Sequence, residues 1–168
     1  MEGKYTHVVH GFEPVFDERS RVLVLGSLPS VKSREQGFYY GHPQNRFWRV
    51  TAAVFGEAVP PVTIPEKKAF LLRRGVALWD VIAECDIIGS ADSSIRNVVP
   101  ADLSQILDAA PIRAIFANGG TAERLYIKYQ QAATGRGIIK LPSTSPANAA
   151  WNIARLTEAW RTISDFSG

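Results

Sequence analysis

Two stretches concentrate side chains that can hold a flat polar ring and a nearby anion. The first opens as Gly26-Ser27-Leu28-Pro29-Ser30-Val31-Lys32-Ser33. A glycine and a proline directly after an apolar run make a tight turn that offers backbone amides to a ligand. It lacks the glycine-Lys-Ser/Thr pattern of a P-loop and the later glycines of a dinucleotide fingerprint. An ordinary strand-to-loop turn stands beside the ligand reading. The stretch continues to Trp48 through Phe38, Tyr39, Tyr40, His42, Asn45, Arg46 and Phe47. Aromatic rings can stack on a nucleobase at about 1–3 kcal/mol per base, or they can close a small satellite core. The expectation divides them: Phe47 and Trp48 pack inward, and Tyr40 is free to stack.

The second stretch is Leu141-Pro142-Ser143-Thr144-Ser145-Pro146-Ala147-Asn148. Two prolines stiffen it, and its hydroxyls and amides suit a phosphate. The plain alternative is a strand-to-helix turn, with Ser or Asn148 capping the following helix.

The elements that must position these loops are short apolar runs separated by helical patterns. Val22–Leu25, Val76–Trp79 and Ala114–Ala117 are apolar without alternation, as expected of strands covered on both faces, and Ile138–Leu141 is similar apart from Lys140. Helical spacing marks Asn45–Phe55, Pro65–Arg73, Ala101–Ala110, Thr121–Ala133 and Ala149–Ile163. Alternating strands and helices predict an α/β fold, a central and mainly parallel four-stranded sheet with helices on both faces. Such sheets place chemistry beyond the carboxyl ends of their strands. Asp80 and Asn118 each end a predicted strand there. Each has a plain alternative: a cap or ion-pair partner for Asp80, an Asn-Gly turn for Asn118. Asn45 can bond a ligand edge, hold a water, or cap a helix starting at Arg46.

The 168 residues are 46% hydrophobic and 21% charged, enough apolar content for a single domain spanning 1–168. The net charge of +3 is compatible with a polyanionic partner. Cys85 is the sole cysteine, so an intrachain disulfide is excluded, and no metal-ligand pattern or cofactor motif is present. Met1-Glu2-Gly3-Lys4-Tyr5 lacks the apolar core of a signal peptide, and no run is long enough to span a membrane; a cytoplasmic monomer is expected. His42 reads as structural, His7 and His10 are given no role, and Cys85 is expected to be inert. No Gly-x-Ser-x-Gly elbow supports an α/β-hydrolase.

Gly26-Ser-Leu-Pro-Ser30 followed by His42-Pro-Gln-Asn-Arg-Phe-Trp48, together with Ser143-Thr-Ser-Pro-Ala-Asn148, resembles the two motifs of the uracil-DNA glycosylase superfamily. The resemblance runs from about Arg21 to Ile163. It implies the three-layer α/β/α fold of that superfamily, a DNA partner carrying deaminated bases, and cleavage of an N-glycosidic bond without metal or cofactor. Leu28 stands where branches of the superfamily carry Asn or Asp, and Ser143 where some carry His. The combination looks most like the hypoxanthine-DNA glycosylase branch. That branch implies Asn45 and Asn118 as catalytic; Gly26, Ser27, Leu28, Pro29, Ser30, Tyr40 and Ser143 are expected at the substrate, with Asp80, which lies where uracil-specific branches have a base-reading segment. It also implies Ser33, Ser143, Thr144, Ser145, Pro146, Ala147 and Asn148 at the DNA. Neither motif centre holds a lysine for a Schiff base, so no lyase activity is expected. Ala147 is small for a wedge into the base stack, which predicts tolerance of single-stranded substrate. A uracil or mismatch glycosylase and a non-catalytic nucleic-acid-binding module remain the competing readings.

Overall fold

The computed structural model describes residues 3–89 and 91–167. Met1 and Glu2, part of the stretch expected to lack a leader core, lie outside the described residues. Four parallel strands form the main sheet: β2 (Val22–Gly26), β3 (Val76–Asp80), β6 (Ala114–Asn118) and β7 (Ile139–Leu141), in the order β3-β2-β6-β7. All five residues of β2 are buried, which is why the run carries no polar alternation. Helices flank the sheet in the expected three-layer manner: α3 (Ile64–Arg73) on β3, α5 (Gly120–Tyr129) on β6 and β7, and α8 (Thr162–Ser167) on β2. The helix α2 (Phe47–Val54) packs on α7 (Ile153–Trp160). Phe47 meets fully buried Trp160 edge-on at 5.8 Å.

Register explains why the strand ends matter. Gly26 pairs with Asp80 and Asn118 with Leu141. Four residues from four strands therefore finish at one edge of the sheet, with the two motif loops leaving from it.

Helix boundaries follow local chemistry. Thr63 caps α3 in a reciprocal box with Glu66, and Pro65 sits in the first turn, one residue after the helix begins. Asn152 caps α7 by accepting from the Arg155 amide at 2.8 Å. The expected cap Asn148 lies too early; its side chain instead donates to the Ser143 carbonyl at 3.0 Å.

Three features were not expected from the sequence. A second, antiparallel sheet joins β1 (Thr6–Val9), β4 (Ile82–Ile87) and β5 (Arg96–Pro100) in the order β1-β4-β5. Register shifts along β4–β5 break the period-2 pattern, and β1 and β5 are largely exposed, so neither presents an apolar run. A short helix, α1 (Val31–Gln36), interrupts the first motif loop, capped by Ser30 and closed by Gly37 in the left-handed conformation. Two further short helices, α4 (Ser104–Leu107) and α6 (Gln131–Thr134), occupy parts of longer predicted ones. No helix among the described residues is long and apolar enough to cross a membrane.

Candidate active site

A cleft of about 800 Å³ opens at the carboxyl edge of the main sheet. Both motif loops line it: Gly26 to Ser30, Tyr40 and Asn45 from the first, and Ser143, Ser145, Ala147 and Asn148 from the second. Asp80 and Asn118 complete the wall from the strand ends. Pro146 falls outside this lining, exposed at the loop tip.

Gly26 is required by close approach. A Cβ there would lie 2.4 Å from Asp80 Oδ1 and 3.2 Å from the Tyr40 hydroxyl. The absent side chain lets a carboxylate and a phenol converge over the strand end. Asp80 is 3% exposed, and its Oδ2 accepts from His10 Nε2 at 2.7 Å. His10, given no role from the sequence, arrives from the segment after β1 and packs its ring on Phe12 and Tyr39. Nothing in its flanking residues signals this. The pairing exists only because the second sheet lays the N-terminal segment beside β3.

Tyr40 is not free. Its ring stacks on Phe47 with centroids 4.2 Å apart and planes 22° apart. A φ of 51° turns it there, an uncommon conformation for a bulky residue and a form of strain found at ligand sites. Its hydroxyl is buried without a hydrogen-bond partner. Burial, followed by the Asp80 charge, pushes the phenol well above its ordinary value, against a smaller opposing effect of the Asn118 amide. Tyr40 is thus a fixed, neutral ring with an unspent O–H donor.

Asn45 and Asn118 meet through Thr144. The Thr144 hydroxyl donates to Asn45 Oδ1 at 2.9 Å and accepts from Asn118 Nδ2 at 3.0 Å. The Thr144 amide donates to Asn118 Oδ1 at 3.0 Å. Asn45 Oδ1 also accepts from the Phe47 amide at 2.9 Å. The helix itself starts one residue later than expected, with Arg46 at its cap position. The cap-like contact and the cleft position are therefore both held by Asn45, through different atoms. With both Oδ1 lone pairs engaged, Asn45 has only Nδ2 left for a ligand.

Two residues expected at the DNA line the cleft but are buried. Ser33 is 1% exposed and its hydroxyl accepts from the Gly41 amide at 2.9 Å, so it closes the turn after α1 instead of reaching outward. Thr144 is fully buried, its polar atoms committed to the two asparagines. Ser143 and Ser145 differ: each hydroxyl accepts one backbone amide, from Ser145 and Ala147 respectively, and keeps its proton to donate.

Arg46 holds this loop in place. Its amide donates to the Thr144 carbonyl at 3.1 Å. Its guanidinium donates to the carbonyls of Ser145 at 2.8 Å and Asn148 at 3.1 Å, and also to Trp151. A planar fork of five donors is suited to gathering several carbonyls. The expectation for the first motif did not include this role. Nor did it include two cations in the cleft wall, Arg34 and the exposed Lys140.

Cys85 is buried, and burial raises its thiol. Among the described residues no cluster of His, Cys, Asp or Glu could hold a metal ion.

The chain as a whole is similar to known proteins. The family model described as the uracil DNA glycosylase superfamily matches residues 13–164. A hypoxanthine DNA glycosylase of Methanosarcina acetivorans is 34% identical over 159 residues, covering 93% of this chain and 98% of the relative. Another from Methanosarcina barkeri is 36% identical over 110 residues, covering 65% of this chain and 70% of the relative. The solution NMR structure of a candidate uracil DNA glycosylase from Methanosarcina acetivorans superposes with a TM-score of 0.77 at 34% identity, covering 92% of this chain and 94% of that one.

Proposed function

Because this chain belongs to the uracil DNA glycosylase superfamily, we propose that it is a monofunctional DNA glycosylase that removes deaminated bases, hypoxanthine foremost. The relatives named hypoxanthine DNA glycosylase support the substrate. The observation that carries the reading is the amide pair Asn45 and Asn118, locked through Thr144 beside Tyr40 at the cleft.

The target atoms of a base are inaccessible within a duplex, so the nucleotide must swing out. Tyr40, braced on Phe47, offers its ring to the extruded base. Asn45 Nδ2 donates to the base as negative charge builds on it. That contact strengthens toward the transition state and so lowers the barrier. Asn118 keeps one N–H and one lone pair for the base edge, and Asp80 faces the same space. Water then adds to the sugar carbon and gives up one proton, which the departing base, having kept the bonding electron pair, takes up. An amide is too weak a base to deprotonate that water; it acts by position. The free hydroxyl protons of Ser143 and Ser145, with Arg34 and Lys140, suit phosphates. Neither motif centre holds a lysine to form a Schiff base, so borohydride should trap no covalent complex. The protein is taken to act as a cytoplasmic monomer, and small Ala147 leaves room for single-stranded DNA.

The test uses labelled oligonucleotides containing deoxyinosine, deoxyuridine, deoxyxanthosine or a G·T mismatch. Alkali-labile breaks are expected foremost on deoxyinosine, and Asn45→Ala should abolish them while the far-UV spectrum is unchanged. Breaks chiefly on deoxyuridine would favour the second reading, a uracil glycosylase, which the structural relative supports. Binding without any breaks would leave a nucleic-acid-binding module.

A further inference from the structure

We propose that Thr144 is a positioning residue for base cleavage, a role that rests on the glycosylase reading. Its side chain is fully buried in the wall of the cleft. Its hydroxyl joins three segments that are remote in sequence: the loop before α2, the end of β6 and the loop after β7.

The donor directions are fixed by chemistry. A hydroxyl has one proton and two lone pairs. The Thr144 proton goes to Asn45 Oδ1, and one lone pair takes an Asn118 Nδ2 proton. The Thr144 amide can only donate, so the atom it meets in Asn118 is the oxygen. The Phe47 amide likewise meets the oxygen of Asn45. Each amide is therefore held in one of its two flip states. Asn45 presents nitrogen to the cleft, and Asn118 retains one donor and one acceptor.

Loss of the hydroxyl proton leaves Asn45 Oδ1 with one partner instead of two. A turned amide would offer oxygen where the base needs a donor, and attraction would become repulsion. The chain Asn118 N–H to Thr144 O–H to Asn45 C=O also polarises in one direction, which strengthens the free Asn45 N–H as a donor. Methyl packing at position 144 contributes to neither effect.

The experiment measures kcat and KM on a deoxyinosine oligonucleotide for Thr144→Val, Thr144→Ser and the wild type. Valine keeps the shape and removes the hydroxyl. Thr144→Val should lower kcat about tenfold to a hundredfold, as expected for a lost polar contact that acts in the transition state, with KM within about threefold. Thr144→Ser, which keeps the hydroxyl, should remain within about threefold of wild type. Should Thr144→Val not fold, Thr144→Ala carries the same comparison.

Full activity per folded molecule without the hydroxyl would overturn the role. So would a serine variant as impaired as the valine one. A wild type that cuts none of the oligonucleotides would sink the glycosylase reading and this role together; an active wild type with an unimpaired valine variant sinks this role alone.

Discussion

His10 Nε2 donates to Asp80 Oδ2 at 2.7 Å, with both side chains 5% exposed, across 70 residues of chain. His10→Ala would leave a buried carboxylate without that partner. Unfolding in urea should show a loss of about 3 kcal/mol. Asp80→Asn keeps an oxygen for Nε2 and should cost about 1 kcal/mol. Equal costs for both variants would mean that the pairing contributes little.

Gly26→Ala tests the convergence over the strand end. The added methyl would overlap Asp80 Oδ1 and crowd the Tyr40 hydroxyl. Overpacking of this kind costs about 1–3 kcal/mol. Moving Asp80 also stretches its bond to His10. Glycosylase activity should fall more than about tenfold, beyond the effect of stability. An alanine variant with wild-type rate and melting temperature would show that the wall yields freely.

Arg34 and Lys140 are expected to contact phosphate. Substituting either by alanine should weaken binding of all DNA sequences alike. It should also reduce the slope of log affinity against log salt by about 1. Fluorescence anisotropy at several salt concentrations gives that slope. A substitution that changes base preference and leaves the slope intact would assign the residue to the base instead.

Tyr39 and Tyr40 predict an alkaline limit to stability. Burial raises both phenols above the ordinary value of 10.0, with the Asp80 charge adding to it. Below pH 10 folded and unfolded states are both protonated. Above it the unfolded chain ionises while the buried phenols do not, so stability falls as pH rises. Tyrosinate absorbance from these two should appear only with unfolding. A phenolate titrating in the folded protein near pH 10 would contradict their burial.

The main sheet was legible because β2, β3 and β6 are continuous apolar runs, a pattern that burial on both faces imposes locally. The second sheet was not. Its short strands are exposed and shifted in register, and their pairing depends on contacts distant in sequence. The residues of the two loops were legible as types and spacing. Their individual duties were less so: Ser33 and Thr144 read as outward hydroxyls, and Arg46 carried no expectation.

The sequence by itself determined the parallel strands, the two loops at their carboxyl edge and the resemblance carried by Gly26–Ser30, His42–Trp48 and Ser143–Asn148. These are encoded by near neighbours: apolar runs, glycine and proline turns, and fixed motif spacing. Only the tertiary structure decided that His10 holds Asp80, that Tyr40 is pinned on Phe47, and that Thr144 joins Asn45 to Asn118. A hydrogen bond is directional and short. Whether a hydroxyl faces solvent or a partner 26 or 99 residues away depends on how the elements pack, which local residue type does not specify.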